Sequence, residues 1–135
     1  MASNTFIAPD IVPFMRYRDA PGAIEWLVRV LGFETLSVFD GPDGTIAHAV
    51  LRFGSGAIQL SSPRGDEADR VEHPIGLGGL YLVVDDPDAL YARAKAAGAE
   101  ITRELTDEEY GSREFSVRDR EGNGWSFGTY RPGSR

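Results

Sequence analysis

The residues of this chain best suited to chemistry are a histidine and a glutamine on strand-like runs. His48 sits in Ala47-His48-Ala49, in the middle of an apolar run over 46–53. Side chains alternate along a strand, so Ala49, Leu51 and Phe53 share one side and His48, Val50 and Arg52 share the other. In the next run Ile58 and Leu60 pack inward, which leaves Gln59 and Ser61 with His48. An imidazole so placed either hydrogen-bonds to its neighbours or meets a ligand as a contact or proton acceptor. Gln59 or Arg52 would then steady a developing negative charge. The same parity sets Gly79, Tyr81 and Val83 against Leu80 and Leu82, Ser126 and Gly128 against Trp125 and Phe127, and Ser37 and Phe39 against Leu36 and Val38. Phe14, Phe39 and Tyr81 offer flat apolar walls, and His48, Arg52, Gln59, Ser61 and Ser126 offer oriented polar atoms. That mixture is typical of small-molecule sites. Tyr110-Gly111-Ser112-Arg113 follows the acidic run Asp107-Glu108-Glu109. It reads either as a turn whose arginine pairs with those carboxylates, or as a mouth where Tyr110 covers a flat ligand and Arg113 meets its polar edge. His73, before Pro74, reads as a surface loop residue. Nothing resembling a nucleophile elbow surrounds Ser61 or Ser126, which argues against a serine nucleophile.

The elements that must position these residues occur twice. Asp19 opens an apolar-periodic segment that stops at Gly32, and Asp85 opens another that stops at Gly98. Asp19 and Asp86 are N-cap types followed by a proline tolerated in the first turn, and glycine suits the end of a helix. Ile24, Leu27, Val28 and Leu31 form one helical stripe, with Trp26 and Val30 beside it. The second helix buries mostly alanine, with Leu90 and Tyr91. Strand-like runs fall at 11–17, 35–40, 46–53 and 57–61, then at 79–84, 101–105, 113–118 and 125–129. Gly41-Pro42-Asp43-Gly44, Gly54-Ser55-Gly56 and Gly122-Asn123-Gly124 supply turns. The period predicts a duplicated strand–helix–three-strand unit, residues 11–61 and 79–130, joined by an aperiodic linker over 62–78 and ended by a loose tail over 131–135. Two such units are expected to leave a cleft between them.

The bulk numbers narrow the function. The chain has 135 residues, 14 Lys and Arg against 21 Asp and Glu, and a formal charge of -7. Nucleic acid is not expected as a partner, because phosphate contacts need clustered cations. With no cysteine, disulfides, thiolate catalysis and iron–sulfur clusters are excluded. No apolar run has the length of a membrane span, and the first ten residues lack the pattern of a secretory signal. A cytoplasmic protein without membrane contact is the expectation.

Three segments together resemble a known family: Asp-x-x-x-Ala-Ile-x-Trp-Leu in the first helix, Leu31-Gly32-Phe33-Glu34 after it, and Asp119-Arg120-Glu121-Gly122-Asn123 near the end. Over 11–130 the chain resembles the vicinal oxygen chelate superfamily of glyoxalases, extradiol dioxygenases and bleomycin-resistance proteins. The resemblance implies a single α+β domain over 1–135, in which two tandem βαβββ modules form a curled mixed sheet around a cleft, and a homodimer. It places the family's four metal positions at Val12, Gln59, Gly79 and Ser126. Valine and glycine offer no donor and serine is a poor one, while a catalytic zinc takes three protein ligands. The resemblance therefore implies no metal and no cofactor. It points to a protein of the antibiotic-resistance type that sequesters a bulky aromatic or cationic natural product. The rivals are a metal-free enzyme with His48 as general base, and a metal-dependent lyase, isomerase or dioxygenase with atypical ligands.

Overall fold

A computed structural model describes residues 6–76 and 78–133. The chain is α+β, with two four-stranded mixed sheets and no closed barrel. Its elements are β1 (Phe14–Arg16), α1 (Ala20–Leu31), β2 (Glu34–Asp40), β3 (Ile46–Phe53), β4 (Gly56–Ser61), α2 (Glu67–Glu72), β5 (Gly79–Val83), α3 (Pro87–Ala96), β6 (Glu100–Asp107), β7 (Arg113–Arg118) and β8 (Gly124–Gly128). The sheet orders are β1-β4-β3-β2 and β5-β8-β7-β6, so each sheet is built by one strand–helix–three-strand run. Two compact units result, the first containing residues up to Val28 and Gly32–His73, the second Arg29–Leu31 and residues from Pro74 onward.

In the first unit, the Asp19 side chain caps α1 by accepting from the Gly22 amide at 3.0 Å. Gly32 ends the helix in the left-handed conformation at φ 82°. Trp26 and Leu27 are buried, and the hairpin strands add Ala49, Leu51, Ile58 and Leu60; Val30 and Leu31 of the same helix are buried too, within the second unit. β1 pairs parallel with β4, Phe14 opposite Gln59 and Arg16 opposite Ser61. It is only three residues long, far shorter than the expected 11–17, because Pro13 lacks an amide hydrogen to donate to a ladder. The inward packing expected of Leu36 and Val38 does not occur. β2 is an edge strand with register shifts at Thr35/Ser37 and Phe39/Asp40, and both side chains stand exposed. Shifts of this kind break strict alternation. Residues 67–72, within the stretch read as an aperiodic linker, form α2, capped by the Asp66 carboxylate on the Asp69 amide at 2.7 Å.

In the second unit, the Asp86 carboxylate caps α3 on the Ala89 amide, and Tyr91 of α3 meets Phe115 edge-on at 5.4 Å. Phe115, Val117, Trp125 and Phe127 are fully buried. The turn between β7 and β8 is organised by one buried carboxylate. Asp119 accepts from the amides of Glu121 and Asn123, from Asn123 Nδ2 and from the Trp125 indole at 3.0 Å. Asn123 Oδ1 in turn accepts from the Gly78 amide, which ties this turn to the start of β5. Among the described residues no helix is long and apolar enough to cross a membrane. Of the tail expected over 131–135, the last two positions lie outside the described residues.

Candidate functional site

One face of the first sheet brings Phe14, His48 and Gln59 together. Phe14 of β1 lies opposite Gln59 of β4, which lies opposite Val50 of β3. His48 Nε2 and Gln59 Oε1 are 2.8 Å apart. An amide oxygen can only accept, so in this orientation His48 donates from Nε2 and its Nδ1 is left as an acceptor. The Phe14 ring lies 6.4 Å from the His48 ring. Phe14, His48 and Gln59 thus form one group: an aromatic plane, a ring acceptor and an amide donor. No buried side-chain nitrogen or oxygen among the described residues lacks a partner. His48 and Gln59 are both half-buried, and His48 Nδ1 and Gln59 Nε2 are not used in the bond that joins the two side chains.

Three further residues complete this face: Arg16 and Asp69, which the sequence reading did not single out, and His73, which it read as a surface loop residue. Arg16, two residues beyond Phe14, lies on the same side of β1 and puts its guanidinium 4.5 Å from the centroid of the Phe14 ring. It is buried, donates from Nε to Asp69 Oδ1 of α2 at 2.6 Å, and makes a short bond to the Ser61 hydroxyl. Asp69 also accepts from the Arg64 amide at 2.8 Å. The Arg16 bond holds the Asp69 carboxyl below its usual range against the opposing effect of burial. The His73 ring, just past α2, packs 5.0 Å from the Phe14 ring; it is half-buried there, not a free loop residue. Spacing two along from Phe14 would have revealed Arg16, whereas Asp69 and His73 depend on how α2 folds back.

Other expected residues are placed differently. Ser61 is buried, with its hydroxyl held by Arg16 and donated to the Ser62 carbonyl, because the Arg16–Asp69 pair closes over it. Arg52 donates to the Gly54 carbonyl at 2.9 Å and lies over the Phe6 ring, so it is tied to its own hairpin end rather than to His48. Phe39 lies across from His48 in the ladder, but on the exposed edge strand.

The second sheet carries the remaining candidates. Tyr81 lies opposite Ser126, and Ser126 opposite Ser116, whose hydroxyls are 2.8 Å apart. Glu114, on the same face, was not singled out from sequence. It is buried and accepts from Arg103 Nη2 at 2.7 Å and from Tyr110 Oη at 2.9 Å. Burial raises its pKa, but bonds from Arg103, Ser112 and Tyr110 outweigh this and hold the carboxyl below the usual value. The same carboxylate raises the Tyr110 hydroxyl. Gly128 is required here, since a Cβ would lie 2.6 Å from both Glu114 Cγ and Tyr81 Oη. Arg113 does not join Tyr110 at a polar edge. One residue along from Glu114, it points to the opposite side and pairs with Asp88 of α3 at 2.8 Å and Asp107 at 3.0 Å, which raise its pKa strongly.

The four positions carried over from the metal-binding relatives hold Val12, Gln59, Gly79 and Ser126. Two have no side-chain donor, Ser126 is bonded to Ser116, and Gln59 Oε1 is bonded to His48. Among the described residues no three His, Asp or Glu side chains are grouped to hold an ion. This donor set does not fit a metal.

A duplicated βαβββ unit with these sheet faces defines a member of the vicinal oxygen chelate class. The chain belongs to the Glyoxalase/Bleomycin resistance protein/Dioxygenase superfamily, whose model matches residues 10–127. It is 33% identical over 133 residues to the uncharacterized protein Rv0887c of Mycobacterium tuberculosis, covering 95% of this chain and 77% of the relative. The crystal structure of TioX from Micromonospora sp. ML1 superposes with a TM-score of 0.75 at 32% identity, over 92% of this chain and all of TioX. A glyoxalase I variant from Zea mays shares the fold at 23% identity and a TM-score of 0.68, over 87% of this chain and 43% of the enzyme.

Proposed function

We propose that the chain is a metal-free small-molecule-binding protein that holds a flat aromatic compound against the first sheet, in the sequestering manner of the resistance branch of its superfamily. The observation that carries this reading is the pairing of Gln59 with His48. Gln59 is the one carried-over metal position with an amide, and its carbonyl oxygen is spent on an imidazole proton. What remains beside Phe14 is an acceptor at His48 Nδ1 and a donor at Gln59 Nε2. An aromatic plane with one donor and one acceptor can orient a planar organic molecule without an ion. The whole-chain likeness to TioX supports the same reading at the level of architecture. Pairing of two chains belongs to the proposal too, supported by the apolar edge that Leu36, Val38 and Phe39 leave exposed on β2.

The test is a thermal-shift and calorimetric screen of planar aryl compounds of the anthraquinone and quinoline types. A ligand at a hundredfold excess over its Kd adds about 2.7 kcal/mol of stability. Phe14→Ala should weaken binding by roughly tenfold or more, and Gln59→Leu or His48→Ala by about threefold to tenfold, in line with one lost ring contact and one lost hydrogen bond. A divalent ion retained in stoichiometric amount and lost in Gln59→Leu refutes the reading. The Nδ1 acceptor also favours a second reading, in which His48 is a general base. Product analysis after incubation with a bound compound separates the two: turnover that His48→Ala abolishes while binding persists identifies an enzyme.

A further inference from the structure

The second unit carries an arrangement that the proposed function does not use. Around the buried Glu114 stand three tyrosines with open rings: Tyr81 is 37% exposed, Tyr110 59% and Tyr130 42%. Two of their hydroxyls are already engaged, Tyr81 Oη donating to the Tyr130 carbonyl at 2.6 Å and Tyr110 Oη to Glu114 at 2.9 Å. The engaged hydroxyls hold the rings, so what these residues offer outward is π surface. The Tyr110 and Tyr130 rings meet edge-on, 5.9 Å apart and inclined at 77°. Their faces therefore look in two nearly perpendicular directions.

An aromatic face is electronegative and attracts a cation, and best of all one with weak hydration. The described cations that lie over rings lie over Phe6, Phe14 and Tyr91, not over these three. The surrounding charge is of the matching sign. On this side Glu108 and Glu114 with Arg103, Glu109 next to Tyr110 and Arg131 next to Tyr130 leave one net negative charge, while Asp88, Asp107 and Arg113 pair on the opposite side of β7. Arg103 is committed to Glu108 and Glu114. A metal ion is the wrong guest, because the Tyr81 and Tyr110 hydroxyls are taken and a ring face offers no lone pair. A quaternary ammonium group needs no hydrogen bond and carries a diffuse charge.

We infer that Tyr81, Tyr110 and Tyr130 form a binding site for a small organic ammonium ion, their rings supplying the attraction and Glu114 contributing negative charge. This site lies on the second sheet and goes beyond the aromatic-ligand site on the first, so either stands if the other fails.

The experiment is an NMR titration of the full chain with choline and, in parallel, with 3,3-dimethylbutan-1-ol, its uncharged carbon isostere. Choline should give saturable shifts at the Tyr81, Tyr110 and Tyr130 ring signals, and the alcohol should bind at least tenfold more weakly. Tyr110→Leu should weaken choline by about fivefold to thirtyfold, since a ring contact to a cation is worth roughly 1–2 kcal/mol. Tyr110→Phe, which keeps the ring, should stay within about threefold. Tyr110 is exposed, so both variants should keep the amide spectrum of the folded protein. The inference is overturned by equal binding of the two probes, by shifts confined to other residues, by no response to choline at high millimolar concentration, or by a loss in Tyr110→Phe as large as in Tyr110→Leu.

Discussion

Replacing Arg103 by methionine isolates the energetics of the second sheet's polar face. Among the described residues Arg103 is the one cation bonded to the buried Glu114 carboxylate, at 2.7 Å, and its side chain is 39% exposed against 6% for Glu114. Methionine keeps most of the aliphatic length and removes the charge. Breaking a fully buried ion pair costs about 3–5 kcal/mol. Water can reach the Arg103 position and replace part of its solvation of Glu114, so the expected cost at neutral pH is about 2–3 kcal/mol. Tyr110 remains as a donor to the carboxylate. Glu114→Gln should cost less, about 1 kcal/mol, because Arg103 keeps its bond to Glu108. The double variant should then fall short of the summed losses by about 1–2 kcal/mol.

The pH dependence supplies an independent check. The folded-state pKa of Glu114 is depressed, so its contribution is complete above the unfolded value of about 4.3. It disappears as the pH falls through the lower folded value. In Arg103→Met burial raises the carboxyl with less opposition, so the variant takes up a proton at higher pH than the parent. The stability gap between them should therefore narrow as pH falls from neutrality into the carboxylate range. Urea unfolding followed by tryptophan fluorescence, at several pH values, measures both quantities. A gap that is the same at pH 7 and at low pH, or a coupling indistinguishable from zero, would refute the assignment of Glu114 as a buried charge held by Arg103.

Three further perturbations test other parts of the structure. Asp119→Ala removes the carboxylate that accepts from the fully buried Trp125 indole N–H and from the Asn123 side chain, and should lower unfolding stability by about 3 kcal/mol; a loss under about 1 kcal/mol contradicts this account of the turn. Gly128→Ala places a methyl 2.6 Å from Tyr81 Oη and Glu114 Cγ, and should cost about 1–3 kcal/mol while shifting the Tyr81 and Glu114 NMR signals. Unmoved signals would show that the two side chains do not cross β8 as described. Asp69→Asn weakens the tie from α2 to Arg16, so hydrogen exchange over 67–72 should quicken while the amides of β3 and β4 keep their protection. The parent should show the same change as pH falls through the lowered Asp69 pKa, and unchanged protection in both cases removes the ion pair from its proposed role.

Much of the architecture was legible because it depends on local signals. Asp19, Gly32 and Asp86 are cap residues whose chemistry is set within one turn, and the glycine turns mark the hairpins. Alternation worked on β3, β4 and β8, inner strands where one face must pack. It failed on β2, where register shifts and an exposed edge let Leu36 and Val38 face outward. α2 was missed because six residues rich in charge, Glu67–Glu72, carry no apolar period; they are held by an aspartate cap and by a pair 53 positions apart in sequence. Glu114 was missed for a related reason. A glutamate in a strand reads as solvent-facing, and only the return of Arg103 and Tyr110 to the same spot makes its burial tolerable.

The placement of His73 separates what builds this protein from what would tune it. The imidazole that covers Phe14 belongs to no strand; it follows a short helix that one ion pair fastens to the sheet. Exchange of the side chain at position 73 would alter the roof over the aromatic floor while every ladder bond stayed in register. Under the proposed binding role, a lineage could change what fits there through that single exchangeable tile, at little risk to folding.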